Sequence, residues 1–334
     1  MKEYYIGVDI GGTWIRIAIA TRDGSIIEKT VKKTPREGDR YTIANLIIET
    51  IKTSLNKYVE NVKAIGIGTA GPMDLALGAV INAPNIPIRT FELAKPIQDV
   101  LKKSVIMAND CVTAVWGEKT FGLGKKYENV VYITISTGIG GGIIVNDLLL
   151  LGKMGNAHEI GHMVVDVNGK MRCGCGGYGH WEAYASGANI PKYASLLLEM
   201  WSLSDVEKES QIYKAYRDNT LSSELIYSIA KEGDKLALRI INEINKYNIA
   251  GFENVVNLYD PEIVIVGGSV ALKNKELVID RIKDGLKKSP GIVTSLPRIE
   301  PTAFEDDIVL MGAIALAAYP PQNLVKALKY LQTL

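Results

Sequence analysis

The 334-residue chain is sparing with reactive side chains: it has three cysteines and three histidines. Three cysteines cannot build a disulfide framework, and Cys173 and Cys175 are too close in sequence to pair with each other without strain. A reducing cytoplasm is the expected setting. Net charge is nearly absent, at +1 with an isoelectric point near 7.6, so the chain has no general attraction for nucleic acid or acidic membranes. No apolar run reaches the roughly 18 residues of a membrane span. The opening MKEYYIGVDIGG runs straight into an alternating strand, and no signal peptide is expected. With 47% hydrophobic and 22% charged residues the composition is that of an ordinary globular protein, long enough for two domains.

The scarce residues are not scattered. Residues 158–182 contain every histidine and two of the three cysteines, in the spacing His162-x10-Cys173-x-Cys175-x4-His180. Two thiolates and two imidazoles on a glycine-rich loop are a ligand set that closes a tetrahedral zinc site. The same window holds His158, Glu159 and Glu182, and the two carboxylates would be fixed in place by a loop folded round a metal.

Two segments of the chain resemble each other. Tyr4–Asp9 alternates as a strand, residues 10–13 turn, and Trp14–Ala20 alternates again. Val130–Ser136 repeats the pattern, with a turn over residues 137–141 and a strand continuing over Gly142–Val145. The pair predicts an internal duplication of an α/β unit. Further patterns predict helices near Arg40–Tyr58 and Phe91–Lys103, strands Ala64–Gly68 and Val105–Ala108, and a helix-rich stretch from Ile190 to Phe252. A strand over Glu262–Val266, helices on either side of a loop near Pro290, and a final apolar helix over Val309–Ala318 complete the reading. Expected crossings between domains lie near Cys111–Ala114 and near Met311. They divide the chain into a smaller α/β domain, 1–112 plus 312–334, and a larger one, 113–311, with the zinc loop and a helical insertion.

Asp9-x-Gly11-Gly12-Thr13 sits on the first turn. Glycine lets backbone N–H groups approach phosphate oxygens, Thr13 adds a hydroxyl, and Asp9 is placed to hold the water shell of Mg²⁺. The alternative is a tight hairpin that needs glycine for positive φ. A second instance, with Thr137 and Gly138 at its start, favours two loops that grip a nucleoside triphosphate. Gly66-Ile67-Gly68-Thr69-Ala70-Gly71 matches a dinucleotide fingerprint literally. Pro72 follows at once, though, and Pro84 and Pro87 keep the next stretch irregular, so no helix opens there and a Rossmann crossover is excluded. No P-loop motif occurs.

Asn109-Asp110 ends a strand and precedes the helical run Val112–Thr120. Either the pair caps that helix, or Asp110 is a general base for transfer to a hydroxyl. Gly267-Gly268 after the strand Glu262–Val266 reads either as a close-packed strand–helix turn or as a nucleotide contact.

Taken in order, these motifs resemble those of the ROK family of sugar kinases, within the actin–hexokinase–Hsp70 fold class. The resemblance covers essentially the whole chain: Asp9–Thr13, Gly68–Pro72, Asn109-Asp110, Thr137–Gly142, Glu159–His162, Cys173–Glu182 and Gly267-Gly268. It implies a two-domain actin-like (ribonuclease H-like) α/β fold with an inter-domain cleft that closes on a sugar and MgATP. It implies an ATP:hexose 6-phosphotransferase, with glucose the expected acceptor and mannose, glucosamine, N-acetylglucosamine or N-acetylmannosamine as further candidates. Asp110 is then the base at the sugar 6-hydroxyl. Gly71, Asn85, Asn109, Glu159, His162 and Glu182 line the sugar, His162 using one nitrogen for metal and the other for a hydroxyl. Gly267 and Gly268 flank the adenosine end. A homodimer is expected, with neither nucleic acid nor membrane as partner.

Three positions depart from the family pattern. His180 stands where a third cysteine is usual, which leaves a Cys2His2 zinc site or a metal-free loop held by hydrogen bonds. His158 replaces a glycine, and Ile88-Arg89 replace Gly-Trp beside Asn85-Ile86-Pro87. Some family members are sugar-sensing repressors. Those carry a helix-turn-helix ahead of the first loop, for which the strand containing Asp9 leaves no room. A binding module without activity would have no need of Asp110.

Overall fold

A computed structural model of the chain describes residues 2–83 and 85–329. Pro84 and the last residues of the 312–334 segment lie outside the described residues. By Cα proximity the chain forms two compact units: residues 1–132, 142–158 and 302–334, and residues 133–141 with 159–301.

Strands β1 (Tyr4–Ile10), β2 (Trp14–Ala20), β3 (Ile26–Lys33) and β4 (Val62–Thr69) open the chain. Three two-residue strands, β5 (Met73–Asp74), β6 (Ala79–Val80) and β7 (Phe91–Glu92), form a small sheet of their own, and β8 (Ser104–Asn109) follows. The first large sheet has the order β3-β2-β1-β4-β8, with the β1–β2 and β2–β3 pairs antiparallel and the β1–β4 and β4–β8 pairs parallel. The second is built from β9 (Val130–Ile135), β10 (Ile139–Val145), β11 (Leu148–Leu149), β12 (Ile263–Gly267) and β13 (Arg298–Pro301), in the order β11-β10-β9-β12-β13. Both sheets run third, second, first, fourth, fifth. The likeness of the two glycine hairpins therefore extends to whole sheets.

Helices α1 (Thr42–Ser54), α2 (Ala94–Leu101) and α3 (Asp110–Thr120) belong to the first unit. The second carries α4 (Glu182–Ala185), α5 (Ile190–Met200), α6 (Asp205–Lys208), α7 (Gln211–Arg217), α8 (Ser223–Lys231), α9 (Lys235–Tyr259), α10 (Ser269–Lys273) and α11 (Ile279–Lys288). Then α12 (Ile308–Ala318) and α13 (Gln322–Ala327) return to the first. Among the described residues no helix is long and apolar enough to cross a membrane.

Several elements differ from the sequence reading. Phe91 and Glu92 pair as β7, so α2 starts only at Ala94. No second helix follows Pro290. Pro290 and Pro297 bracket that stretch and remove backbone donors, and it leads into β13 instead. The turn before β10 ends at Gly138, because Ile139 already sits buried in the strand.

In the first unit, Gly7 and Gly66 are register partners on β1 and β4. A Cβ on Gly66 would stand 1.8 Å from the Ala313 carbonyl oxygen, and one on Gly7 2.6 Å from Ile314. The glycines make a trough in which α12 lies against the sheet, with Leu310 and Ile314 packed on Ala18 and Ala20. Gly68, two residues on and so on the same face, meets Val309 and Thr113. The apparent dinucleotide fingerprint is thus a helix-packing surface. Helix α12 also crosses α3 closely, where a Cβ on Gly117 would stand 2.8 Å from the Cα of Gly312.

Glu118 on α3 is fully buried; it accepts hydrogen bonds from the Thr302 hydroxyl and the Leu123 amide. Burial raises its pKa above the usual 4.5, against the pull of those two bonds. A raised carboxylate stabilises the fold when protonated, and that contribution is lost as pH rises through the folded pKa. Urea unfolding is therefore expected to show a gain in stability as pH falls from 7 towards 5. Replacing Glu118 by Gln should flatten that slope, and an unchanged slope would assign it to other groups.

Candidate active site

The carboxyl ends of the parallel strands β1, β4 and β8 share one edge of the first sheet, the place where open α/β sheets carry their ligands. Register puts Asp9 beside Gly68, and Thr69 beside Asn109. Asp9 is only 6% exposed. Its cross-strand partner Arg16 donates to Asp9 Oδ2 at 2.8 Å. Burial pushes the Asp9 carboxyl up to about 6; Arg16 opposes this, while the charges of Asp110 and Asp307 add to it. Asp307 is itself gripped by Lys29, whose Nζ lies 2.6 and 2.7 Å from its two oxygens.

The first glycine turn is held by backbone and threonine contacts. Gly11 N–H donates to the Trp14 carbonyl at 2.9 Å, and the Thr34 hydroxyl donates to the Gly11 carbonyl at 2.7 Å. Thr34 N–H donates to the Thr13 carbonyl at 3.0 Å, leaving the Thr13 side chain exposed. A Cβ on Gly12 would stand 2.2 Å from the carbonyl oxygen of Asn85. Neither Gly11 nor Gly12 has positive φ. Close approach, and not the positive φ of a tight hairpin, requires glycine here.

Asn109 caps α3: its Oδ1 accepts from Cys111 N–H at 2.8 Å, and Asp110 Oδ1 shares the same donor at 2.8 Å. Capping engages one oxygen of Asp110, and a carboxylate has capacity for more bonds. A Cβ on Gly71 would lie 3.3 Å from Asn109 Nδ2. The first unit thus gathers Asp9, Asp110 and Asp307 in one electrostatic neighbourhood, Gly12 against Asn85, and Gly71 against Asn109.

In the second unit, Ser136 N–H closes the other glycine turn onto the Gly138 carbonyl at 2.9 Å. Glu182, at the start of α4, backs that turn: its Oε2 accepts from Ile139 N–H at 3.0 Å, and a Cβ on Gly138 would stand 2.6 Å from it. Ala188 N–H donates to the Thr137 carbonyl at 3.1 Å. Gly268 caps α10 with φ of +88°, and a Cβ there would stand 2.4 Å from the Ile135 carbonyl oxygen. Its glycine is accounted for by the strand–helix turn alone. Gly267, which ends β12, is buried.

One ligand atom each from His162, Cys173, Cys175 and His180 lie within 4.8 Å of one another. Cys175 Sγ is 3.3 Å from His180 Nδ1, and Cys173 Sγ is 3.8 Å from His162 Nδ1. Two thiols and two imidazoles converging at these separations fit a tetrahedral ion of zinc's size and ligand taste. His162 directs its other nitrogen, Nε2, towards Glu159 at 3.7 Å. Cys173 also lies 3.5 Å from Glu182 Oε1, so Glu182 joins the cluster to the second glycine turn. His158 stands apart from this cluster, buried against the Gly155 carbonyl at 3.0 Å. The loop is braced by Tyr184, which donates to Asp166 at 2.6 Å and accepts from Met171 N–H at 3.0 Å.

Sequence reasoning passed over Arg16, Lys29, Thr34, Asp307 and the Tyr184–Asp166 pair. Alternation on β2 put Arg16 on a strand. Only the register shows that it faces Asp9.

The sequence model of the ROK family matches residues 5–319. A glucokinase of Pyrobaculum calidifontis is 37% identical over 332 residues, covering 96% of this chain and 97% of that protein. A glucokinase of Aeropyrum pernix is 35% identical over 322 residues, covering 96% and 98%. A ROK family glucokinase from Streptomyces griseus, solved in complex with glucose and AMPPNP, is 31% identical with a TM-score of 0.72, covering 94% of this chain and 98% of that one.

Proposed function

The chain belongs to the ROK family, and from that membership we propose that it transfers the γ-phosphoryl group of ATP to the 6-hydroxyl of a hexose, glucose foremost. The glucokinase relatives support the reaction class and the sugar. The observation that carries the reading for this chain is the edge of the first sheet. There a buried aspartate, a glycine turn without room for side chains, and Asn109-Asp110 stand on neighbouring strand ends.

In this reading Asp110 accepts the proton of the 6-hydroxyl as its oxygen attacks the γ-phosphorus; the bond to the bridging oxygen breaks and ADP leaves. Asn109 turns its amide to the sugar beside Gly71 and Asn85, and Glu159, His162 and Glu182 satisfy further hydroxyls. Each hydroxyl buried without a partner would cost about 1–3 kcal/mol. Gly11, Gly12 and Thr13 take phosphate oxygens at one turn, and Thr137 and Gly138 at the other. Gly267 and Gly268 lie at the nucleoside end. Asp9 would hold, through water, the Mg²⁺ that accompanies ATP as substrate, and that ion would supply charge neutralisation on the phosphates. Zinc, held by His162, Cys173, Cys175 and His180, would be structural, with no open position for chemistry. In this reading the unit of residues 1–132, 142–158 and 302–334 carries the base and the first turn, and residues 133–141 with 159–301 carry the metal loop, a division that departs from the boundaries at 112 and 312 expected from the sequence.

ADP release with MgATP across glucose, mannose, glucosamine, N-acetylglucosamine and N-acetylmannosamine tests the proposal. Glucose-dependent turnover is expected, with 2-substituted sugars slower. Glucose binding without ADP release under any sugar would move the protein to the sensing class.

A further inference from the structure

Helix α9 carries two asparagines, Asn245 and Asn248, inside its buried apolar stripe, where they are 3% and 1% exposed. Their spacing puts them on one face of the helix. An amide in such a place is costly unless its bonds are made, and here they form a relay. The indole N–H of Trp181 donates to Asn248 Oδ1 at 3.0 Å, Asn248 Nδ2 donates to Asn245 Oδ1 at 3.1 Å, and Asn245 Nδ2 donates to the Leu277 carbonyl at 2.8 Å.

Trp181, at the head of this relay, is fully buried. A Cβ on Gly251 would stand 2.3 Å from its ring, and Phe252 meets the ring edge-on with centroids 5.6 Å apart. Packing of this kind fixes the plane of an indole; the directed bond to Asn248 fixes its rotation within that plane. The backbone of Trp181 is tied as well. Its N–H donates to the carbonyl of Met163, the neighbour of His162, at 3.0 Å, and its carbonyl accepts from Tyr184 and Ala185 N–H in α4. On either side of it in the chain stand His180, of the Cys/His cluster, and Glu182, which holds Ile139 N–H of the second glycine turn at 3.0 Å. A turn of the indole would carry both neighbours with it.

We propose that Asn248 is a positioning residue for hexose binding: through the Trp181 indole it sets the direction in which His180 and Glu182 enter the site. The proposal deepens the kinase reading and rests on its assignment of Glu182 and the Cys/His loop to the sugar. Asn248 is buried away from any ligand and acts only through Trp181. Glu182 would hold a sugar hydroxyl alike in the ground state and in the transition state. Loss of its direction therefore shows as weaker hexose binding.

The test is calorimetric binding of glucose to the full-length protein and to Asn248→Leu, Asn248→Asp, Trp181→Phe and Asn245→Leu, with the melting temperature of each. Asn248→Leu and Trp181→Phe should each bind glucose about 5- to 10-fold more weakly, the effect of one lost hydrogen bond. The double variant should bind no more weakly than either single one, since both remove the same contact. Asn248→Asp keeps an acceptor for the indole and should recover most of the affinity. Trp181→Phe keeps an aromatic ring against Gly251 and carries the test if Asn248→Leu does not fold. Asn245→Leu breaks the relay one link farther from the site, so it should lower the melting temperature and leave glucose affinity at the parent value. Affinity that falls in step with melting temperature across all the variants would overturn the proposal, because the asparagines would then only hold the core. Parent affinity in both Asn248→Leu and Trp181→Phe would overturn it too, and would leave the kinase reading standing if the parent phosphorylates glucose. A parent that binds no glucose would defeat that reading and this proposal together.

Discussion

Replacing Asp110 by Asn is expected to lower kcat for hexose phosphorylation by roughly 10²- to 10⁴-fold, the range for loss of a general base. The Michaelis constant for glucose should move little, because the amide still hydrogen-bonds a hydroxyl in the ground state. The geometry makes this a clean substitution. Asn keeps an oxygen to accept the Cys111 amide that Asp110 Oδ1 now shares, and Asn109 continues to cap α3 through the same donor. Melting temperature should therefore barely change under either reading of the Asn109-Asp110 pair, because Asn caps as well as Asp. Turnover separates the two: a capping role alone predicts that it survives, and a base predicts that it collapses. Turnover that survives in Asp110→Asn would reduce the residue to its helix-end contact.

The second large effect concerns the Cys/His loop. Zinc held at a free concentration of about 1,000 times its dissociation constant stabilises the folded state by roughly 4 kcal/mol. That corresponds to roughly 10 °C in melting temperature. Cys173→Ala and His180→Ala should each abolish stoichiometric metal, lose that increment, and raise the Michaelis constant for the hexose about tenfold or more, an effect of the size seen when metal-site partners are removed. His180→Cys should keep the metal, because a thiolate serves equally well as a ligand. Metal analysis and thermal melts of the three variants decide the matter. If the alanine variants melt like the parent and no protein carries metal, the loop is held by its Cys–His and Tyr184–Asp166 contacts alone.

What could be read in the sequence was chemistry at fixed spacing. The metal-ligand pattern and the two glycine–threonine turns stood out because their residue types are scarce or specialised. The reason those turns need glycine did not. Positive φ is a property of a residue's own backbone, whereas the approach of Asn85 to Gly12, or of Glu182 to Gly138, depends on segments far along the chain. Arg16 and Asp307 were missed for the same reason: one acts on Asp9 across a strand pair, the other from the opposite end of the sequence. Strand β3 escaped because its residues IIEKTVKK are mostly exposed, and an exposed edge strand carries charges where a buried one shows alternation. The fold class was legible through the repeat of one hairpin, and the shared strand order shows that repeat at full length.

Helix α12 has a consequence for how the protein is made. Gly7 and Gly66 sit on strands synthesised long before the residues that fill their trough, Ala313 and Ile314. On a ribosome adding about 5–20 residues per second, the first sheet waits tens of seconds with that face bare. Strands β1, β2 and β4 are largely apolar, and β1 is paired on both sides, the kind of surface that sticks to other chains while it waits. Completion of the first unit is thus a long-range event in biosynthesis, and the interval before α12 emerges is the stage at which chaperone capture matters most.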